Sequence, residues 1–324
     1  METFTTDTPG VHADTLDLPR RKISAIPIFI LVLFGLMVFG VITETKLLQF
    51  GSTLPNDHEF CSPRGLNAST IKYHSSHQFY TKLKSLAPLP APVFRQEHIE
   101  LCNDKRRSKK TYNYCLPISG RKDSPFCINA DRTDLLSFKS SICYASVLHM
   151  LLVEVYEELQ AVGNTPLILF GSLLGAVRNE SMIPFTEDAD IGFVGELIGK
   201  DALQGALRRK GYHIFFMDIY RVCVAPTHPL AGFLYDANLP INTTFAVPYV
   251  DLYSVKQQED GNWDIQELNA TNGSILHDSK VQPFSKVNIN GMAFDTVREP
   301  KFFLQEAYGD DYMTPKPREV QVSG

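Results

Sequence analysis

Two aspartates stand two positions apart, Asp188 and Asp190, at the start of an apolar stretch that reads DADIGF. Successive side chains on a strand point to opposite faces, so a strand here places both carboxylates on one face. Like charges held that close repel each other unless a positive group lies between them. Carboxylate oxygens suit Mg²⁺ or Mn²⁺, ions that also keep water or substrate phosphate as ligands. The pair therefore predicts a clamp for a divalent metal ion.

A third acid and a small-residue motif accompany this pair. Asp251 lies within the apolar segment YVDLYSV, where a carboxylate is costly to bury unless it is paired or bound to a metal ion. Gly171 and Ser172 follow the apolar segment TPLILF, and Asp188 comes seventeen residues after Gly171. Small residues between a buried strand and a helix start let backbone amides approach an anion. This order of motifs is similar to that of the nucleotidyltransferase superfamily.

Helical and strand patterns alternate over residues 135–324 and predict an α/β or α+β catalytic domain there. The single tryptophan, Trp263, is expected at a hairpin tip or on the surface. The predicted elements are, in order, a helix over 135–162, a strand over Thr165–Phe170, a turn at Gly171-Ser172, a helix over Leu173–Arg178, a strand over Ala189–Val194, a helix over 200–210, and strands within YHIFFMDIYRVCVA and FAVPYVDLYSV.

The stretch LILFGSLLGAVRNESMIPFTEDADIGF resembles the signature of the LicD/fukutin family, which pairs Gly-(Ser/Thr)-Leu-Leu-Gly-x-x-Arg with Ile-Pro and an Asp-x-Asp strand. The stretch REPKFFLQEAYGDDYMTPKP resembles the ending of that family, and together the two cover about 140–317. Its YGDDYM segment, 308–313, either closes over the site or packs at a helix end. The chain departs from bacterial members at 183–186, which read Ile-Pro-Phe-Thr in place of Ile-Pro-Trp-Asp. The number of metal ions therefore stays open.

The resemblance implies an activity and a role for each motif residue. Members of that family transfer a phospho-alcohol from a CDP-activated donor to a glycan hydroxyl. Bound Mg²⁺ or Mn²⁺ and an arginine would stabilise charge on the transferred phosphoryl group. The implied roles are metal ligation by Asp188, Asp190 and Asp251, donor phosphate binding by Gly171, Ser172 and Arg178, and proton acceptance from the acceptor hydroxyl by Asp251.

The N-terminal region predicts a membrane anchor. Ile23–Thr43 is an uncharged run of 21 residues directly after Arg20, Arg21 and Lys22, which is long enough to span a bilayer core. The alternative of a cleaved signal peptide fits less well because the run is longer than a signal core and lacks a clear cleavage site. The positive-inside rule then places residues 1–22 in the cytosol and the rest outside it. We expect a single-pass type II protein of the Golgi or endoplasmic reticulum membrane, with a lumenal catalytic domain.

The cysteines agree with this topology. All six follow the apolar run, and four of them lie between 61 and 127. An even number in an oxidising compartment favours disulfides, so residues 44–134 are expected to form a stem and a disulfide-stapled subdomain before the catalytic domain. Zinc is the alternative, and the absence of a Cys-x-x-Cys pair disfavours it. The net charge of −5 gives no reason to expect nucleic-acid binding.

Three functions fit these residues. The leading one is a metal-dependent phosphotransferase that acts on a glycan or glycoprotein. The second is a glycosyltransferase that uses the Asp-x-Asp pair on a nucleotide sugar, although only one short strand precedes the pair here. The third is a non-catalytic membrane protein that binds glycans or scaffolds other enzymes. The sequence does not indicate which phospho-alcohol or sugar phosphate is transferred, which glycan accepts it, or what the oligomeric state is.

Overall fold

The computed structural model describes residues 33–34, 36–37, 61–102, 115–118, 143–239, 247–269 and 273–315. The chain divides into two compact units, Met1–Glu59 and Phe60–Gly324. In the first unit, the four described residues are helical. In the second unit the helices are α1 (Gln78–Ser85), α2 (Ala145–Ala161), α3 (Phe170–Asn179), α4 (Lys200–Lys210), α5 (Ala231–Leu234), α6 (Asp278–Val281) and α7 (Pro300–Tyr308), with 3₁₀ turns at Ala68–Thr70 and Gln96–Cys102.

The strands of the second unit form a mixed sheet and a separate hairpin. The sheet has the order β1-β2-β5-β4-β3, with β6 beside β5 and β7 beside β6. Among the described strands, β2 and β5 form the parallel pair, and the other pairs are antiparallel. The strands are β1 (Pro166–Ile168), β2 (Asp188–Val194), β3 (Tyr212–Met217), β4 (Ile219–Val224), β5 (Tyr249–Gln257), β6 (Trp263–Ile265), β7 (Ile275–Leu276), and the hairpin of β8 (Ser285–Ile289) and β9 (Met292–Thr296).

The two faces of this sheet have different roles. Ala189, Ile191 and Leu252 are buried in the main hydrophobic core, and they alternate along β2 and β5 with the aspartates, which therefore lie on the opposite face. Helix α2 packs against β2, β4 and β5, and α4 packs against β3. The sheet thus has one face committed to the core and one face that carries the acidic side chains. This mixed α/β architecture fits the nucleotidyltransferase-like domain that the motif order predicts.

Three local predictions need correction. Helix α3 begins at Phe170, so Gly171 and Ser172 lie in its first turn and do not form a turn ahead of it. The segment predicted as one strand after Gly211 is the hairpin β3–β4, because Asp218 has a positive φ of 63° and reverses the chain. Trp263 is buried on β6, where its indole N–H donates to Asp278 Oδ1 at 2.8 Å. The helix predicted over 135–162 is observed as α2, and 135–142 lies outside the described residues.

The described part of the region predicted as a stem packs onto the catalytic domain. Ile71, Tyr80 and Phe94 are buried in the same core cluster as the sheet residues. The proline-rich segment approaches α5 so closely that a side chain at Gly232 would collide with the carbonyl oxygen of Pro90. Residues 61–102 are therefore a subdomain that shares the core of the domain.

Disulfides secure this subdomain, as the cysteine count predicts. Cys61 is bonded to Cys102, and Cys115 is bonded to Cys223 on β4. Cys143 is also disulfide-bonded. One bridge therefore closes within the region predicted to be stapled, and another joins that region to the sheet.

The predicted membrane anchor falls almost wholly outside the described residues. Within the ranges given above, no helix combines the length and apolar character needed to cross a membrane. Of the predicted run Ile23–Thr43, only residues 33, 34, 36 and 37 are described, and they are helical.

A buried ionic cluster joins α2 to the end of α4. The Lys210 ammonium lies 2.6 Å from Glu154 Oε2 and 2.6 Å from Glu158 Oε1, and all three residues are buried. His74, from the subdomain, contacts the same Glu158 oxygen at 3.1 Å. Burial raises the pKa of Glu154, and the charge of Lys210 opposes this shift. The cluster holds two carboxylates in the core that depend on Lys210 for charge compensation.

We predict that Lys210→Met lowers the free energy of unfolding by about 3–5 kcal/mol, because it leaves buried carboxylates without their cation. Lys286→Met is the matched control, since Lys286 pairs with Asp295 at the same 2.6 Å but is largely exposed. That control should change the free energy of unfolding by less than about 1 kcal/mol. Denaturant titration of the two variants measures both effects, and equal losses would contradict the assigned role of the buried cluster.

Candidate active site

The three predicted aspartates meet on the face of the sheet opposite the core. Asp190 on β2 is directly paired with Asp251 on β5, and Asp188 precedes Asp190 by two positions on the same face. Asp190 and Asp251 are both buried, and Asp188 is partly exposed. The hydroxyl of Thr186 donates to Asp188 Oδ1 at 2.7 Å. The parallel pairing of β2 and β5 therefore brings together Asp190 and Asp251, which are 61 positions apart in the sequence.

The first turn of α3 holds Asp190 through a reciprocal pair of hydrogen bonds. The Ser172 amide donates to Asp190 Oδ2 at 3.1 Å, and the Asp190 amide donates to Ser172 Oγ at 2.7 Å. A carboxylate at this point satisfies a free amide of the helix N-terminus and interacts favourably with the helix dipole. Gly171 leaves room here for the carboxylate, since an added Cβ would lie 3.0 Å from Asp190 Oδ2, a tight contact. Ser172 and Gly171 thus position Asp190 in this structure.

Phe170 marks the strained junction between β1 and α3. Its φ of 41° is uncommon for a bulky residue. Its ring packs between Tyr253 at 4.7 Å and Phe303 of α7 at 5.3 Å between centroids. The contacts on both sides of this ring compensate for the backbone strain and hold the start of α3 against the acidic face.

Tyr253 is a site residue that the sequence reasoning missed. Its hydroxyl lies 3.2 Å from Asp190 Oδ1 and 3.2 Å from Asp251 Oδ2. Burial first, and then the charges of the two aspartates, raise the pKa of Tyr253, so the hydroxyl stays a hydrogen-bond donor. Its position two residues after Asp251 on a strand was the available signal, because residues so spaced share a face.

Arg221 is the second missed residue. It is paired with Asp251 in the register of β4 and β5, and its Nε donates to Asp251 Oδ1 at 2.8 Å. Its Nη1 donates to the Met217 carbonyl at 2.7 Å. An arginine inside the apolar segment IYRVCV was a signal for a buried anion, but the identity of that anion depends on which strand lies next to β4.

Arg178 and the C-terminal turn lie at the other end of α3. The Arg178 guanidinium donates to the backbone carbonyls of Tyr312 and Thr314. Tyr308, at the end of α7, lies close enough to the acids that their charges raise its pKa after burial, with Asp190 contributing more than Asp188. The YGDDYM segment therefore contributes Tyr308 to the edge of the acidic face. The hydrogen bonds of Arg178 go to backbone carbonyls of the C-terminal turn.

Crowding and burial make this face unfavourable for negative charge. Burial raises the pKa of Asp190 well above its usual range, and the charges of Asp188 and Asp251 add to this effect. Burial also raises the pKa of Asp251 to about 6, although Arg221 opposes the shift and Asp188 adds to it. Such a concentration of perturbed carboxylates in one place is typical of functional sites.

The chemistry of these side chains fits a hard divalent cation. Three carboxylates on one face supply the oxygen ligands that Mg²⁺ and Mn²⁺ prefer. A cation would offset the repulsion that adds to the effect of burial on the pKa values of Asp190 and Asp251. In the described part of the chain, no group of three or more potential ligands is already arranged around a common metal position. Arg221 and Tyr253 instead satisfy the oxygens of Asp190 and Asp251.

The fold and the site fit a nucleotidyltransferase-like domain, and a comparison with protein families supports this class. Residues 164–296 match the LicD/FKTN/FKRP nucleotidyltransferase domain. This match supports LicD family membership, as the motif predicts, and it suggests a transferase. No curated protein matches the chain. Among solved structures, ANT(2")-Ia in complex with adenylyl-2"-tobramycin aligns at 12% identity over 49% of this chain and 70% of its own, with a TM-score of 0.30.

We predict that Gly171→Ala weakens the site because the added methyl group would press on Asp190, which Ser172 and Tyr253 hold in place. Mn²⁺ affinity, measured by calorimetry, should fall about 10- to 100-fold, the range typical of outer-shell changes at metal sites. Gly205→Ala on α4 is the control, since its Cβ would meet only the flexible end of Arg209. Unchanged Mn²⁺ affinity in Gly171→Ala, with the fold intact, would contradict this account of Asp190.

Proposed function

We propose that the protein is a metal-dependent phosphotransferase that moves a phospho-alcohol from a CDP-activated donor to a glycan hydroxyl. The observation that supports this most strongly is the pairing of Asp190 with Asp251 on adjacent parallel strands, beside the start of a helix. Ribitol phosphate, glycerol phosphate and phosphocholine are all compatible with such a site, since the CDP-activated form of each contains the same diphosphate linkage.

In this proposal Asp188, Asp190 and Asp251 hold Mg²⁺ or Mn²⁺. When bound, the cation supplies electrostatic stabilisation of the transferred phosphoryl oxygens and of the leaving group. Asp190 is held in position by Ser172 and by Tyr253, and such contacts fix the orientation of a metal-ligating carboxylate. The start of α3, at Gly171 and Ser172, directs its positive dipole end toward the donor phosphates.

The proposed reaction forms one bond and breaks one bond at phosphorus. The acceptor oxygen attacks the phosphorus that carries the alcohol, and the anhydride bond to CMP breaks. The proton of the acceptor hydroxyl passes to a carboxylate, for which Asp251 is the candidate. CMP leaves with the electron pair of the broken bond, and the product is a phosphodiester on the glycan.

The proposed location is the lumen of the Golgi or endoplasmic reticulum, with a single-pass type II anchor over 23–43. The disulfides Cys61–Cys102 and Cys115–Cys223 support an oxidising compartment for the catalytic domain. The basic residues that precede the apolar run support the orientation.

We predict that the purified full-length chain releases CMP from at least one CDP-alcohol in the presence of Mn²⁺ or Mg²⁺ and a glycan acceptor. Asp190→Asn keeps the shape of the side chain but removes a metal ligand, so CMP release should fall by more than about 100-fold, beyond the usual effect of outer-shell changes. The control is Asp201→Asn at an exposed position in the first turn of α4. A panel of CDP-alcohols beside UDP- and GDP-sugars, with nucleotide release detected by chromatography, measures these rates.

Other results from the same panel would favour other functions. Release of UDP or GDP from nucleotide sugars, without use of any CDP-alcohol, would indicate a glycosyltransferase and contradict the proposal. No release from any donor by folded protein that binds Mn²⁺, across a panel of glycan acceptors, would favour a glycan-binding or scaffold role.

A further inference from the structure

Arg221 contributes positive charge directly to the acidic face. In the described part of the chain, one ion pair includes an aspartate of this face. It joins Arg221 Nε to Asp251 Oδ1 at 2.8 Å. The Arg221 side chain is only 12% exposed, so its charge acts in a region where water screens it weakly.

Once a metal ion and a donor are bound, this face needs positive charge in addition to that of the metal ion. A divalent cation alone would leave the three carboxylates with excess negative charge. The two phosphates of a CDP-alcohol then add negative charge to the same buried region. Without a further cationic contact that charge would be poorly compensated, because buried charges are stable only when they are paired. Arg221 is already at the face where this charge would arrive.

The position of Arg221 is fixed from several directions. Its Nη1 donates to the Met217 carbonyl at 2.7 Å, and its guanidinium carbon lies 5.4 Å from the centroid of the Tyr249 ring. Two residues further on the same strand, Cys223 is paired with Tyr249 in the sheet and bonded to Cys115. A guanidinium has five N–H donors, so this side chain can contact Asp251 and phosphate oxygens together.

Arg178, the arginine of the family motif, has a different position. It follows Ser172 by six residues on α3, which places its backbone about 9 Å further along the helix axis. Its guanidinium donates to the carbonyls of Tyr312 and Thr314. These contacts hold the C-terminal turn next to α3.

We propose that Arg221 binds the donor phosphates, and that Arg178 acts by holding the C-terminal turn in place. This inference rests on the proposed function, because it assumes a donor that carries phosphate. The competing explanation is structural: Arg221 would serve only to neutralise Asp251. The two explanations differ in what happens to nucleotide affinity when metal affinity is preserved.

The test compares Arg221→Gln and Arg221→Lys with Arg208→Gln, an exposed arginine in the last turn of α4. Each full-length variant is titrated with Mn²⁺ alone and then with CDP in saturating Mn²⁺, and its melting temperature is measured. We expect Arg221→Gln to retain Mn²⁺ affinity or to increase it, since a competing cation is removed. Its CDP affinity should fall by at least about tenfold, the loss of a charge-assisted hydrogen bond.

Arg221→Lys keeps the charge but lacks the planar fork of donors, so its CDP affinity should be intermediate. Should the glutamine variant fail to fold, the lysine variant decides, and lowered CDP affinity with retained Mn²⁺ affinity supports the proposal. Wild-type CDP affinity in a folded Arg221 variant, or equal losses of Mn²⁺ and CDP affinity, would overturn it. If wild-type protein loaded with Mn²⁺ binds no CDP, the proposed function itself fails, which is a different result from the failure of Arg221 alone.

Discussion

The repulsion between Asp190 and Asp251 is the constraint on which the site depends. The register of β2 and β5 puts these buried carboxylates side by side, and in a region of low polarity their charges interact strongly. Each neighbour of the pair reduces that cost in a different way. Tyr253 donates toward both acids, Ser172 donates an amide to Asp190, and Arg221 supplies a charge to Asp251. So many stabilising contacts to two buried carboxylates indicate that these carboxylates have a functional role.

The rest of the domain can be understood as support for that arrangement. Phe170 adopts an unfavourable backbone conformation at the start of α3, the helix whose first turn donates a hydrogen bond to Asp190. Its ring packs between those of Tyr253 and Phe303. On the other face, α2 is buried along most of its length and fixes the sheet from behind. The bridge from Cys115 to Cys223 ties β4, and with it the strand of Arg221, to the preceding region. The site therefore lies on strands and a helix start with little freedom to move.

Local patterns in the sequence predicted the strands that carry the three acids, and the acids themselves. The glycine after α4, the apolar run of β5 and the Asp-x-Asp spacing each have a short-range signal, and all three predictions agree with the structure. The start of α3 was placed three residues late, because Asp190, eighteen positions after Ser172, caps the helix and no neighbouring residue does so. Such a cap cannot be found by inspecting the segment alone.

Long-range pairing explains what the sequence reasoning missed. Arg221 became a site residue only through the pairing of β4 with β5. Tyr253 shares the face of Asp251 by its spacing, but it reaches Asp190 only because β2 lies beside β5. Trp263 was expected at a hairpin tip or on the surface, yet β6 pairs with β5 and carries the indole into the core. Spacing rules indicate which face a residue shares with its own strand, whereas tertiary structure decides what lies opposite it.

The most direct test of the central claim is a crystal structure of the full-length chain with Mn²⁺ and CDP, using the anomalous signal of manganese. We expect a manganese peak bonded to carboxylate oxygens of Asp190 and Asp251, with the CDP phosphates on the same side of the sheet. Ordered CDP without a manganese peak at this face, or manganese bound only at another group of residues, would contradict it.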